Sequence, residues 1–417
     1  MHSRRLSRVS AAAAAALALS ACALESNESS GEGVTTLTFW SYYSGTQAEW
    51  LDRQIEEFED DHPDVRIDVV ETVGDQQAQR LLASVSTGTT PDLFINNIVV
   101  DYLTLVSGDV FADITDEWDG FEDKDVFGET AAWETDGKVY NLLPFTNLIG
   151  LFYNEDVLDA VGIDEIPTTL DELTEALEAV ESHGEYSGIA LSGAPTVEGA
   201  WIFAPQLLGL DIGYCNFSGP EVDEAFERIE NWSRAGYLPQ ATATWDQTDA
   251  WQQFATGEYA FGINGNWNLG NAADTDFAWG TAPYPAPDGG QSIVYPGGEG
   301  FGIGSTSEHK ELAWEFLEQA VLSQDAGESI YDLAGSIPVR TDMAEILDLD
   351  ANPEVQPFVA AAQSAANWPE NENTANLQTR LGEAVSSVYS GQSSAAEASE
   401  NARTTIEEAI RDGGGTC

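Results

Sequence analysis

Positive charge is scarce in this chain. Its 15 Lys and Arg residues stand against 72 Asp and Glu, and the formal net charge is −57. A nucleic-acid-binding surface needs clustered cations to neutralise phosphates, so this composition excludes nucleic acid as a partner. An anionic ligand would also need several cations in its site, and the chain has few to offer. We interpret the evenly spread acids as a solvated surface, and a cationic ligand is the alternative interpretation.

Recognisable catalytic motifs are missing as well. The sequence has four scattered histidines and contains no Walker-type loop, no Gly-x-Ser-x-Gly elbow and no His-Glu-x-x-His helix. A glycosidase would need two carboxyl groups about 5–10 Å apart, and counting acids does not exclude such a pair. We therefore predict a protein that is not an enzyme and has no metal and no cofactor. A membrane-tethered glycosidase is the alternative.

Only the N-terminal segment carries a long apolar run. Three arginines precede the Ala-rich stretch from Val9 to Leu19, which is shorter than the about 20 residues of a membrane span. This order of charge, apolar residues and small residues is typical of an export signal. The closing Leu19–Cys22 (LSAC) resembles a bacterial lipobox, which implies cleavage before Cys22 and lipidation of its sulfur. An ordinary secretory signal is the alternative.

These features predict a signal peptide over residues 1–21 and a lipid-anchored flexible linker over 22–34. The folded body would then be held on the outer face of the cytoplasmic membrane. Loss of the three signal arginines changes the net charge from −57 to −60. Lipidation of Cys22 leaves Cys215 and Cys417, which an exported protein can pair. The sequence gives no geometric support for that disulfide, so the pairing stays open.

The hydrophobic periodicity alternates between strands and helices. Strand patterns at Leu37–Trp40, Val65–Val70 and Asp92–Ile95 enclose helical patterns at Gln47–Asp60 and Asp75–Ser86. A β-α-β-α-β order predicts an α/β fold in which helices cover a mainly parallel sheet. The 396 residues that follow the signal exceed one typical core, so we expect two domains.

Several short stretches occur in an order that is similar to one protein family. They are Phe39–Ser41, Gly88–Asp92, Gly137–Tyr140, Leu143–Phe145, Tyr153–Asp156, Pro167–Leu173, Phe254–Ala260, Gly265–Trp267, Gly297–Phe301, Ala313–Phe316 and Ile337–Arg340. Through them, the chain resembles the bacterial extracellular solute-binding proteins of carbohydrate ABC importers, the group that includes maltose-binding protein. One departure is Asn141, where the family usually has Gly, and we expect it to affect local turn geometry only.

The resemblance implies a two-lobed, periplasmic-binding-protein-like fold in which each lobe is a mainly parallel sheet flanked by helices and the ligand cleft lies between the lobes. The predicted lobes are 35–145 plus 282–326 for the N-terminal lobe and 146–281 plus 327–417 for the C-terminal lobe. The chain would cross between them near 144–147, near 280–282 and after Leu322.

Candidate ligand contacts follow from positions near strand ends, where such folds bind ligands. Flat rings bury the apolar faces of sugars, and amide, carboxylate and guanidinium groups bind their hydroxyls. The predicted ligand-binding residues are Ser41, Tyr43, Asn96, Asn97, Asn147, Trp201, Trp245, Trp267, Gly298, Glu299 and Arg340. Tyr43 is preferred to Tyr42 because only one of two neighbours can face the cleft. Arg340 could instead pair with an acid, and Trp314 is predicted to be a core residue.

The resemblance also implies a function. The chain would be the monomeric substrate-binding lipoprotein of an ABC transporter, capturing a neutral mono- or oligosaccharide by hinge closure. It would deliver this carbohydrate to the transmembrane subunits of the permease and touch the membrane through its lipid anchor only. The alternatives keep the fold and change the ligand to a polyol, a polyamine or a glycerol-phosphate.

Overall fold

The computed structural model describes residues 33–128, 131–345, 347, 349, 351–369, 371, 373–415 and 417. Cys22, the predicted signal peptide and all but the end of the predicted linker lie outside the described residues. The strands are β1 Thr35–Ser41, β2 Val65–Glu71, β3 Leu93–Asn97, β4 Ala132–Thr135, β5 Lys138–Leu142, β6 Phe145–Thr146, β7 Ile149–Asn154, β8 Ser187–Ala190, β9 Tyr259–Gly265, β10 Trp279–Ala282, β11 Glu299–Ile303 and β12 Ile337–Pro338.

Helices cover both sheets. The α-helices are α1 Gly45–Asp61, α2 Gly74–Thr87, α3 Ile98–Ser107, α4 Thr115–Gly120, α5 Glu155–Val161, α6 Leu170–His183, α7 Val197–Phe203, α8 Pro205–Leu208, α9 Pro220–Ala235, α10 Gln247–Phe254, α11 Leu269–Ala273, α12 Lys310–Ala320, α13 Gln324–Ala334, α14 Gln356–Gln363, α15 Thr374–Tyr389 and α16 Ala395–Asp412. Short 3₁₀ turns lie at Lys124–Val126, Tyr214–Asn216, Gln240–Thr244, Asn266–Asn268, Thr341–Glu345 and Pro353–Val355. Within the described part of the chain, no helix combines the length and the apolar character of a membrane span.

The first sheet has six strands in the order β2-β1-β3-β11-β5-β4. β1 runs parallel to β2 and β3, whereas β11 runs antiparallel to β3 and β5. The predicted strand Leu37–Trp40 and helix Gln47–Asp60 are confirmed as parts of β1 and α1. Leu37 and Phe39 on β1 and Trp50 on α1 are fully buried in one core. Burial of these apolar faces fixes which side of each element faces inward.

The second sheet has four strands in the order β10-β7-β9-β8. β7 is antiparallel to β9 and β10, and β8 is parallel to β9. Helix α6 begins at a capping box in which Thr169 bonds the backbone N–H of Glu172 and Glu172 reaches back to Thr169, as the predicted Thr cap requires. Both sheets are mixed rather than mainly parallel. In the first sheet β11 is antiparallel to β3 and β5, and in the second sheet β7 is antiparallel to β9 and β10.

Three crossings between the two cores lie side by side. Phe145–Thr146 pairs with Ile337–Pro338 in a two-stranded ribbon. Asn147 exchanges both backbone hydrogen bonds with Gly297, at 2.9 and 2.7 Å. The predicted crossing near 144–147 therefore lies where two other segments also pass. Short paired segments of this kind are suited to act as a hinge.

The other two positions at which the chain passes from one core to the other lie later in the sequence than predicted. Tyr284, Val294 and Tyr295 pack in the core of the second sheet, although the predicted boundary lay at 282. Ala326 and Ile330 of α13 pack in the core of the first sheet with α1, although the predicted boundary lay at 326/327. The chain leaves the second core only near residues 297–298 and the first only near 335–338. The remaining limits of the predicted lobes stay a prediction.

The last helices complete the second core. α15 packs against α7 and α16, and α16 packs against α9. A disulfide joins Cys215 to Cys417, 202 positions apart in sequence, with a Cα–Cα distance of 5.6 Å. This pairing answers the question that the sequence left open. Closing so long a loop removes conformational freedom from the unfolded chain and so favours the folded state.

Candidate functional site

Three chain segments meet at one edge of the first sheet. Tyr42 follows the end of β1, Asn97 ends β3, and Glu299 begins β11 directly opposite Asn97. Asn147, at the crossing, donates from Nδ2 to Oε2 of Glu299 at 3.4 Å. The structure thus brings together Glu299 and Asn147, which the sequence placed far apart, where the two lobes join.

Glu299 is the central ionisable group of this edge. Its side chain is half-buried, and burial raises the pKa of its carboxyl to about 7, while the bond from Asn147 acts in the opposite direction. Gly298 precedes it with φ of 142°, a backbone conformation that favours glycine, and its carbonyl accepts from the N–H of Ile98. Gly298 therefore contributes its backbone to the start of α3.

The sequence missed a second carboxyl at this edge. Asp101 lies one turn into α3, half-buried, and burial raises its pKa to about 6. Burial raises the pKa of the Tyr42 phenol well above its ordinary value, and the negative charges of Glu299 and Asp101 add to that effect. Asp101 is the single charged residue of a helix that is otherwise mostly apolar (IVVDYLTLVS), and that isolation is a signal the sequence carries. We call Tyr42, Asp101 and Glu299 the acidic wall.

The preference for Tyr43 over Tyr42 was wrong as far as the rings are concerned. The ring of Tyr43 is 9% exposed and packs edge-on against Trp50 and Phe301, at centroid distances of 6.4 and 6.3 Å. Tyr42 is half-buried and lies beside Gly74 at the start of α2. Ser41 is 3% exposed, and its Oγ accepts from the N–H of Tyr43. Only one of the two neighbouring rings is buried against α1, but it is the ring of Tyr43 and not that of Tyr42.

The two asparagines at the end of β3 have structural partners. Asn96 is fully buried, and its Oδ1 accepts from Nδ2 of Asn141 at 2.7 Å. Asn97 caps α3, with Oδ1 accepting from the N–H groups of Val99 and Val100 at 3.1 Å. Asn141 lies within β5 and not in a turn, so the expectation that it affects turn geometry only was wrong. Its amide instead joins β5 to β3 across the intervening β11.

Two tryptophans form the aromatic part of the site. Trp201 and Trp267 are half-buried and stacked, with ring centroids 5.7 Å apart and planes inclined by 14°. Trp201 is held by a hydrogen bond from Nε1 to the carbonyl of Tyr295, and its ring lies against Gly297, where a Cβ would come within 2.8 Å. We call this pair the aromatic wall. Gly297 pairs with Asn147, which reaches Glu299, so the two walls are joined through the crossing.

Two further predicted contacts have other surroundings. Trp245 is half-buried and packs edge-on against Tyr259 at 6.4 Å, apart from the stacked pair. The guanidinium of Arg340 donates to both Asp342 and Asp123 and to the carbonyl of Leu322. With these donors occupied, Arg340 has the ion-pair role and not the predicted ligand contact. Trp314, 8% exposed in the first core, is a core residue as predicted.

The family model of bacterial extracellular solute-binding proteins matches residues 53–357, so this chain belongs to that family. The chain is 25% identical to a maltodextrin-binding protein of Bacillus subtilis (strain 168) over 420 residues, 96% of each chain. It is 26% identical to an arabinooligosaccharide-binding protein of Halalkalibacterium halodurans over 332 residues, 75% of this chain and 73% of the relative.

Solved structures show the same fold. A maltose-bound protein of T. maritima superposes with a TM-score of 0.80 at 22% identity, covering 89% of this chain and 99% of that one. A cyclic α-maltosyl-1,6-maltose binding protein from Arthrobacter globiformis superposes with a TM-score of 0.74 at 23% identity, covering 91% and 100%. The predicted two-lobed α/β fold and the predicted family are thereby confirmed. The relatives are solute-binding proteins and not enzymes, and membership of an extracellular family implies export.

Proposed function

We propose that this chain is the substrate-binding lipoprotein of a carbohydrate ABC transporter. It captures a neutral mono- or oligosaccharide between its lobes and delivers it to the transmembrane subunits of the permease. The observation that carries the proposal is the stacked pair Trp201 and Trp267 beside the crossing at Asn147 and Glu299. Relatives named for maltodextrin and arabino-oligosaccharides support the same ligand class.

The chemistry of the two walls fits sugars. A stacked aromatic pair offers a flat apolar surface on which the C–H face of a pyranose ring packs. The carboxyl of Glu299, the amide of Asn147 and the hydroxyl of Tyr42 offer hydrogen-bond partners for hydroxyl groups. Hinge motion at the three paired crossings brings the walls together around the ligand, and the closed form docks on the permease.

The alternatives are less well supported. A glycerol-phosphate would need cations in the site, and Arg340, the buried arginine nearest in sequence to the third crossing, is occupied by acids. A polyol offers no apolar ring face that could pack on the aromatic wall. A polyamine fits the acidic wall but not the stacked tryptophans. A glycosidase needs two carboxyl groups flanking a scissile bond, whereas the relatives are binding proteins.

A ligand screen tests the proposal. Purified full-length protein is assayed by thermal shift against neutral sugars, polyols, polyamines and glycerol-phosphate, and co-purified ligand is identified by mass spectrometry. A sugar that binds the native protein should raise the melting temperature, and the shift should grow with the logarithm of the sugar concentration above Kd. Release of hydrolysed product from a bound oligosaccharide would contradict a pure binding role. Stabilisation by a phosphate ester alone would contradict the ligand class.

Lipid anchoring is tested separately through Cys22. Cys22→Ser should release the protein into the medium or leave its precursor uncleaved, because the sulfur that carries the acyl chains is gone. Fractionation of cells that express either form, followed by immunoblotting, measures the distribution. Retention of a processed Cys22→Ser protein in the membrane fraction would refute lipidation and leave the sugar-binding proposal untouched.

A further inference from the structure

The disulfide between Cys215 and Cys417 lies next to a cluster of three aromatic rings. Cys215 is in the same 3₁₀ turn as Tyr214, whose side chain is 3% exposed. The ring of Tyr214 stacks on Tyr295 at a centroid distance of 5.9 Å, with planes inclined by 18°. Tyr295 stacks on Trp368 at 4.0 Å, with planes inclined by 17°. We call Tyr214, Tyr295 and Trp368 the triple stack.

The other end of the disulfide also leads to the triple stack. Cys417 follows α16, and the turn after Trp368 is bound to the end of that helix. The side-chain amides of Asn371 and Asn373 donate to two backbone carbonyls in the last turn of α16, at 3.2 and 3.0 Å. The disulfide therefore joins the turn that carries one ring of the triple stack to the helix that holds the segment of another.

Tyr295 connects the triple stack to the aromatic wall. Its side chain is 2% exposed, and its backbone carbonyl accepts from Nε1 of Trp201 at 3.0 Å. The next carbonyl, that of Pro296, accepts from Nε1 of Trp368 at 2.6 Å. The ring of Trp201 lies against Gly297, the residue after that. The position of residues 295–297 therefore determines where the indole of Trp201 lies.

These contacts deepen the proposed function and rest on it. We propose that the Cys215–Cys417 disulfide is a positioning element of the sugar site, which holds Tyr295 in place and through it the indole of Trp201. A group that contacts a ligand must be held within about 0.5 Å of its productive position by the residues behind it. A wall that is fixed before the sugar arrives loses less conformational freedom on binding, and the affinity is higher for that reason.

Removal of both cysteines tests this inference. Cys215→Ala with Cys417→Ala should weaken binding of the sugar selected by the screen about fivefold, measured by calorimetry well below the unfolding midpoint. Val180→Ala is the matched control, because Val180 is fully buried in the same core on α6, which packs against β8 and α5. It should lower the urea midpoint and leave Kd unchanged. A disulfide that only constrains the unfolded chain would behave like this control.

The route through the triple stack is tested by Tyr214→Leu. This change removes a stacked ring and leaves the disulfide in place, and it should also weaken binding about fivefold. Combined with the loss of both cysteines it should add little, because residues that act through one partner are not additive. A combined loss of about 25-fold would show that the two act independently and would overturn the route.

Hydrogen exchange gives a readout that needs no sugar. The indole N–H of Trp201, bound to the carbonyl of Tyr295, should exchange faster in the protein without the disulfide than in Val180→Ala. NMR with ¹⁵N-labelled tryptophan follows it, and Trp201→Phe assigns the signal. Equal exchange in the two variants overturns the positioning role. If the double cysteine variant does not fold, Tyr214→Leu carries both measurements.

The outcomes separate this inference from the proposed function. An unchanged Kd without the disulfide overturns the positioning role and leaves sugar binding in place. Failure of every sugar to bind the natural protein overturns the proposed function. The exchange of the Trp201 indole then still decides whether the disulfide positions that ring.

Discussion

The two walls of the site are built by opposite means. The aromatic wall comes from Trp201 on α7 and Trp267 in a 3₁₀ turn, and each indole is half-buried against a glycine. The acidic wall comes from strand ends and a helix cap, and no ion pair among the described residues includes either of its carboxyls. The aromatic wall is held by ring stacking and by a hydrogen bond from Trp201, whereas the acidic wall holds charge that is costly to bury. Shape and charge in this site are therefore set by separate parts of the chain.

The largest effect expected is on the aromatic wall and its matched core residue. Trp267→Ala should weaken binding of the sugar selected by the screen by roughly 1–3 kcal/mol, about 5- to 150-fold in Kd, with folding largely preserved. Trp314→Ala should lose roughly 3–5 kcal/mol of unfolding free energy with little effect on affinity. Urea unfolding and titration measure both variants. If Trp267→Ala unfolds the protein while its folded fraction binds normally, the indole belongs to the core.

Burial of the Glu299 carboxyl should make the stability of the protein depend on pH. Unfolding lowers the pKa of Glu299 from about 7 to its ordinary value of 4.5. Between these values the native state binds more protons, so stability falls as pH rises from 4.5 to about 7 and stays lower above. Glu299→Gln removes this loss and should be more stable than the natural protein by about 1–3 kcal/mol at about pH 8, with no such gain near pH 4. A constant difference across this range, measured by urea unfolding, would show that the carboxyl is not destabilised by burial.

Tyr42 tests which tyrosine belongs to the site. Tyr42→Ala should weaken sugar binding about fivefold, roughly 1 kcal/mol, because a half-buried ring next to the ligand is lost. Tyr42→Phe keeps the ring and should retain most of the affinity. Calorimetry on both variants separates the contribution of the ring from that of the hydroxyl. Normal affinity in Tyr42→Ala would remove Tyr42 from the acidic wall.

Salt gives the smallest effect. Binding of a neutral sugar such as maltotriose should change less than about twofold between about 50 and 500 mM salt, since no net charge is neutralised. Titrations of maltotriose at several salt concentrations give the slope. A steep slope for maltotriose would indicate a charged group where none is proposed.

Elements with a strong local pattern could be predicted from the sequence. The apolar spacing of α1 and the Thr169 cap of α6 specify those helices locally, and both are present. The pairing of β11 could not be predicted in this way, because the residues of β5 and β3 that pair with it lie 159 to 210 positions earlier. The same limit explains the error in the predicted lobe boundaries, since no local sequence pattern indicates that α13 packs on α1.

The same distinction between local motifs and partners distant in sequence applies to the residues of the candidate site. Trp267 and Glu299 lie in short motifs. The structure places Glu299 within reach of Asn147 at the crossing, and it stacks Trp267 on Trp201 beside Gly297. Asn96, Asn97 and Arg340 were chosen for their side-chain chemistry, and each has an internal partner that only the folded chain reveals. Tyr42 and Asp101 were missed because their place depends on which face of β1 the helix α1 covers and on the pairing of β3 with β11.

The position of β11 late in the sequence has a consequence for folding during export. This strand lies between β3 and β5, yet its residues come after the whole second sheet in the chain. A nascent polypeptide therefore cannot close its first sheet until residue 303 has emerged, and pairings of such long sequence separation form slowly. For a member of an extracellular family, this order leaves the first sheet incomplete until nearly three-quarters of the chain has been synthesised.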